Sequence, residues 1–136
     1  MPYLQVYYHV VWSTQERRDA IAGEFEAELF ASILVAAQRL GATVHAIGGT
    51  ADHVHVVLSI PPAIAVANAI GQLKGVSAHL ANRRSDVAGR FAWERGYGLF
   101  TLGPRQLARA VAYVKGQKEH HAQATTIPAL EHSTSD

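Results

Sequence analysis

Along this chain the spacing of apolar residues switches between two and about 3.6 positions, in an order that leaves few folds open. Leu4, Val6, Tyr8, Val10 and Trp12 stand at every second position and predict a first strand. A polar connection follows, and then Phe25, Leu29, Ile33, Ala36 and Leu40 recur at helical spacing from about Gly23. Gly41 stands where a helix C-terminal glycine belongs. A second strand is predicted near Thr43 to Ile47, closed by Gly48 and Gly49. A third runs from about His53 to Ile60 and is stopped by Pro61 and Pro62, which cannot donate to a ladder. A helix from about Ile64 to Asn82, a strand near Tyr97 to Leu102 and a last helix from Gly103-Pro104 to about His121 complete the pattern.

The resulting order is β-α-β-β-α-β-α. Its first six elements match the split βαβ, ferredoxin-like (RRM-like) pattern. The fold class is therefore α+β, an antiparallel sheet with helices on one face plus an added C-terminal helix. With 136 residues, 49% of them hydrophobic, one domain over 1–121 can bury a single core. Residues 122–136 lack periodicity and read as a mobile tail. No apolar run approaches the ~20 residues of a membrane-spanning helix, so no membrane association is expected. The start MPYLQVYYHV lacks the basic segment of a signal peptide. The absence of cysteine excludes disulfides and thiolate sites and fits a cytoplasmic location.

Net charge is +1, but it is unevenly spread. Residues 1–71 hold three basic and six acidic side chains, whereas residues 72–121 hold nine basic and three acidic ones. A basic second half is a candidate phosphate-binding surface, with Lys74, Arg83, Arg84, Lys115 and Lys118 as its candidate phosphate contacts; solvated helix faces would look the same.

His53 and His55 lie two apart on a predicted strand, so both imidazoles leave the same face of the sheet. That spacing lets two rings reach one cation, although ordinary hydrogen-bonded histidines share it. On the last helix Tyr113 and Gln117 are four apart and share a face, which His120 or His121 continues. A helical tyrosine is ordinarily a packing residue. With two histidines and an amide oxygen it forms a coherent set if the last helix docks over that sheet face. Tyr97, between two glycines, has no ligand-type residue four positions on. His9 and His45 fall on the polar sheet face without a role, and Asp52 reads as a turn residue.

"DHVHVVLS" (52–59) resembles the His-hydrophobic-His motif, and "VAYVKGQKEHH" (111–121) the tyrosine helix, of the single-tyrosine transposases of bacterial insertion sequences, the IS200-like family. "YHVVWSTQERR", "LKGVSAHL" and "WERGYGLFTL" extend the resemblance over nearly the whole chain. It implies His53, His55 and Gln117 as ligands of a divalent metal, Mg²⁺ or Mn²⁺, and Tyr113 as the nucleophile. It further implies a homodimer that cuts and rejoins single-stranded DNA beside hairpins, with composite active sites that the tyrosine helix completes across the dimer. The chain departs from the family at Gln15, where a lysine is common, and Gly116 inside the tyrosine helix marks a candidate hinge.

The chemistry agrees with that reading. A divalent cation polarises a phosphoryl oxygen, and a phenol that attacks phosphorus conserves the bond energy as a phosphotyrosine, so rejoining needs no ATP. The competing readings are a domesticated nuclease acting on repeat hairpins, a hairpin-binding protein without catalysis, and a metal-dependent hydrolase of small substrates.

Overall fold

The computed structural model describes residues 3–84, 87, 90–122 and 126–131. Four strands, β1 (Tyr7–Ser13), β2 (Thr43–Thr50), β3 (His53–Ser59) and β4 (Gly98–Leu102), form one antiparallel sheet in the order β2-β3-β1-β4. Helices α1 (Gly23–Arg39) and α2 (Val66–Ala81) connect them in the expected order. The α+β, ferredoxin-like arrangement predicted from apolar spacing is the one observed.

Period-two alternation divides the sheet into two faces. Val10 and Trp12 of β1 and Val54, Val56 and Leu58 of β3 point to one side, where they bury against Phe25, Leu29 and Ile33 of α1 and Ile70 and Leu73 of α2. This is the main core, and losing one such side chain, as in Leu29→Ala, typically costs about 2–5 kcal/mol. His9 and Val11 of β1, with His53, His55 and Val57 of β3, point to the other side. A smaller cluster there packs Ala46 and Val57 against Ala110 and Val114 of the tyrosine-bearing helix. The functional face is thus a second, covered face of the same sheet.

Three features were not visible in apolar spacing. First, β2 does not stop at Gly48-Gly49 but continues to Thr50. The glycines are there for closeness rather than termination. A Cβ on Gly48 would lie 2.1 Å from the carbonyl oxygen of Val114, so only glycine lets the last helix seat on β2. Second, a bulge between Val44 and Ala46 changes the phase of β2, so that Val44 and Ile47, three apart, both join the main core. Third, the connection after β1 is structural. Thr14 N–H donates to the Asp52 carbonyl at 2.8 Å, and the N–H groups of Ala20 and Ile21 donate to Ala51 at 2.9 Å. The segment clasps the β2–β3 turn that delivers His53.

The last helix also divides. Helix α3 (Leu107–Lys115) ends at Gly116 and α4 (Gln117–Ala122) begins one residue later. The break is shallow, because Gly116 N–H still donates to Ala112 (3.1 Å) and His120 N–H to Gly116 (2.9 Å). Residues 122–136 read from the sequence as a mobile tail. Within it, Pro128–Glu131 forms a short helix, α5, while residues 123–125 and 132–136 lie outside the described residues.

Candidate metal and nucleophile site

Strand β3 presents His53 and His55 beneath the α3–α4 junction, with exposures of only 2% and 0%. Their rings are 5.0 Å apart. His53 Nδ1 lies 2.7 Å from Asp52 Oδ1 and 2.9 Å from Thr50 Oγ1. Because a carboxylate only accepts, the hydrogen sits on Nδ1 and Nε2 is turned into the site. Asp52 is therefore more than a turn residue. It orients a candidate ligand, as a carboxylate behind a metal-binding histidine does.

Gln117, at the start of α4, is 1% exposed. Its Oε1 lies 3.1 Å from His53 Nε2 and 3.1 Å from His121 Nε2. Tyr113, one turn earlier, is 5% exposed and stacks at 4.7 Å against His120. His121 therefore turns into the site and His120 covers the tyrosine ring. All four residues singled out in sequence, His53, His55, Tyr113 and Gln117, come together within one chain.

The residue that sequence reasoning missed is Glu131 of α5. Its Oε1 is 3.2 Å from His53 Nε2, 3.1 Å from His55 Nε2 and 3.1 Å from His121 Nε2. Its Oε2 accepts the Tyr113 hydroxyl hydrogen and, at 3.2 Å, a hydrogen from Gln117 Nε2. Ile127 N–H donates to Tyr113 Oη at 2.9 Å. A single carboxylate thus bridges the imidazoles and the phenol. No periodicity or motif surrounds Glu131, so nothing local in the sequence could have found it.

Electrostatics follow from this geometry. Burial opposes ionisation of Glu131, but hydrogen bonds from His53, His55 and Tyr113 outweigh it and hold the carboxyl well below the usual carboxylate range. Burial also works against protonated His53, yet its bonds to Glu131 and Asp52 raise its pKa above the ordinary value. For His55 burial prevails and the pKa falls. His9, buried beside His55, is pushed down to about 4, chiefly by burial. Burial and the bond to Glu131 raise the pKa of Tyr113, so its phenol is neutral in this arrangement.

A ring nitrogen each of His53 and His55 and a Glu131 carboxylate oxygen lie within 4.8 Å of one another, a group that can hold a metal ion. With the Gln117 amide oxygen the donors are two imidazoles and two oxygens, a set suited to a divalent cation such as Mn²⁺ or Mg²⁺.

The basic residues have varied surroundings. Lys74 Nζ donates to the carbonyls of Glu94 (2.9 Å) and Gly96 (2.8 Å), which commits it to the loop before β4. Lys118 pairs with Glu26 at 2.6 Å, and Arg84 pairs with Glu28 and lies over the Phe25 ring. Arg83 lines a groove between α1 and α2, and Lys115 lines a cleft beside Gly48 and Gly49. Tyr97 packs against the main core, away from the imidazoles.

The family model of the IS200-like transposases matches residues 3–117. The transposase for insertion sequence element IS200 of Salmonella typhimurium is 29% identical over 117 residues, covering 82% of this chain and 76% of that protein. The ISDra2 transposase TnpA of Deinococcus radiodurans is 28% identical over 124 residues, covering 85% and 86%. Among solved structures, a putative transposase from Deinococcus radiodurans superposes with a TM-score of 0.65 at 22% identity, covering 85% of this chain and 93% of that one. A REP-associated tyrosine transposase bound to a REP hairpin gives 0.63 at 12% identity, covering 84% and 67%.

Proposed function

This chain belongs to the IS200-like transposase family, and from that membership we propose that it is a metal-dependent single-strand DNA transposase with Tyr113 as its nucleophile. One observation carries the reading. The Glu131 carboxylate spans from the imidazole nitrogens of His53 and His55 to the hydroxyl of Tyr113. A phosphodiester in the same place would have one oxygen at the ligand set and its phosphorus in reach of the phenol.

His53, His55 and Gln117 would hold Mg²⁺ or Mn²⁺, the imidazoles favouring Mn²⁺. When bound, that cation polarises the phosphoryl oxygen and orients the scissile bond. Tyr113 Oη forms a bond to phosphorus as it loses its proton, and the bond from phosphorus to the 3′-oxygen breaks. The 3′-oxygen takes up a proton, leaving a 5′-phosphotyrosine and a free 3′-hydroxyl. Attack by a second 3′-hydroxyl reverses these steps and joins the strands. Glu131 belongs to the resting form, since its carboxylate and a DNA phosphate claim the same space.

The DNA partner is a single strand carrying hairpins, a reading supported by the hairpin-bound structural relative. Arg83, Arg84, Lys115 and Lys118 are the proposed phosphate contacts, with Lys74 ordering the loop before β4. The family resemblance adds a homodimer in which the helix carrying Tyr113 completes the partner subunit's site, and the absence of cysteine fits a cytoplasmic location. The test is incubation with labelled single-stranded hairpins and Mn²⁺, followed by a denaturing gel. A covalent adduct made by the wild type and lost in Tyr113→Phe is expected. DNA binding without an adduct under Mg²⁺ and Mn²⁺ would instead make the protein a hairpin-binding module.

A further inference from the structure

The two candidate histidine ligands are supported differently from behind. A histidine that binds a cation through Nε2 carries its hydrogen on Nδ1, and that N–H needs an acceptor to fix the tautomer and the ring plane. His53 has the Asp52 carboxylate for this purpose. Among the described residues no carboxylate stands behind His55. Its Nδ1 faces His9 Nε2 at 2.7 Å, a contact buried within the sheet.

His9 is well fixed for that task. It sits on β1 with 0% exposure, diagonal to His55 across the β1–β3 ladder, where His9 opposes Val57 and Val11 opposes His55. Its ring packs 5.0 Å from His55, 6.0 Å from Phe100 and 6.5 Å from Tyr113. Its other nitrogen, Nδ1, is buried with no hydrogen-bond partner among the described residues. The mechanism above does not use this histidine.

We propose that His9 is the positioning residue of His55, accepting the His55 Nδ1 hydrogen so that the Nε2 lone pair points at the cation. This rests on the metal site proposed above. The hydrogen bond can run in either direction with the heavy atoms in place. With Glu131 in the site, His55 Nε2–H donates to that carboxylate, and His55 Nδ1 must accept from His9 Nε2–H. The bare Nδ1 of His9 is then an unpaired lone pair. When a cation takes His55 Nε2, the hydrogen of His55 moves to Nδ1 and donates to His9 Nε2, and the hydrogen of His9 moves to its Nδ1. A neutral imidazole serves both arrangements, since it donates from Nε2 in one and accepts there in the other. A carboxylate would serve only the second. The pair therefore lets His55 Nε2 donate to the carboxylate in one arrangement and turn its lone pair to a cation in the other.

Three full-length proteins test this: wild type, His9→Phe, which fills the space without an acceptor, and His9→Gln, whose amide can donate or accept. Mn²⁺ affinity is measured by calorimetry without DNA. His9→Phe is expected to bind Mn²⁺ roughly 10–100-fold more weakly, the usual effect of removing a partner behind a ligand, and His9→Gln to recover most of the loss. In wild-type protein, ¹⁵N NMR should show the His55 hydrogen on Nε2 without metal and on Nδ1 with saturating Mg²⁺. Affinity of a folded His9→Phe within about twofold of wild type, or His9→Gln no better than His9→Phe, overturns the proposal. If His9→Phe does not fold, the wild-type spectrum decides, and a Mg²⁺-saturated His55 with a bare Nδ1 overturns it. Wild-type protein that binds neither metal overturns the metal reading itself, a failure separable from that of His9 because it precedes any variant.

Discussion

A strand histidine is informative only through what stands behind each of its nitrogens. His53 and His55 are two apart and nearly equally buried, yet Asp52 backs one and His9 the other. That difference shows in acid. In metal-free protein His9 titrates at about 4, against an ordinary 6.5. Between those values the unfolded chain takes up a proton that the folded chain refuses, so stability falls as pH falls. The groups facing His9 are His55, Phe100, Tyr113 and the Glu131 charge. From pH 7 to pH 4.5 its share of the loss is roughly 2–3 kcal/mol. Urea unfolding at the two pH values should therefore show a smaller loss in His9→Gln than in wild type. At this scale the sequence placed His53 with His55 and Tyr113 with Gln117, because spacing of two on a strand and four on a helix sets a common face. It could not reveal His9 or Glu131. A contact diagonal across a ladder depends on register, and a carboxylate 76 residues from His55 depends on where the chain returns.

Elements bring these residues together, and glycine decides how closely. The Gly48-Gly49 pair looked like the end of β2, because glycine usually weakens a strand. Gly48 instead admits the close approach of α3 and Gly49 that of the β3 backbone at His53, which no single-element pattern can signal. Gly48→Ala would place Cβ 2.1 Å from the Val114 carbonyl oxygen and force α3 off the sheet. A loss of about 1–3 kcal/mol is expected, as for other overpacked sites, with Tyr113 displaced from the imidazoles. Thermal unfolding and adduct yield should fall together. Helix α5 makes a different prediction. Because its carboxylate and a DNA phosphate compete, Glu131→Gln should raise the competent fraction and tighten oligonucleotide binding by roughly 3–10-fold. Fluorescence anisotropy with Mn²⁺ measures this, and the adduct should persist. An adduct lost with Glu131 would place that carboxylate in the chemistry instead.

Over the whole molecule, the main core and the site occupy opposite faces of one sheet, so the hydrophobic alternation that fixes the fold also fixes which histidines face α3. The fold class was readable for this reason, since six elements in this order allow few arrangements. The charge asymmetry belongs to this scale as well. Basic residues concentrate in 72–121 and acidic ones before them, so binding to a single strand should weaken steeply with salt. Each phosphate contact removed should lower the log–log slope by about 0.7, so Arg83→Ala with Lys115→Ala should lower it by about 1.4.

The central claim is that Tyr113 becomes joined to DNA, and peptide mapping tests it most directly. A single-stranded hairpin oligonucleotide is incubated with the full chain and Mn²⁺, the complex is digested, and the nucleotide-bearing peptide is identified by mass spectrometry. A 5′-phosphate linked to the tyrosine of segment 110–115 is expected, and none in His53→Ala. A nucleotide on Tyr97 or another side chain, or bound DNA with no linked peptide, would contradict it.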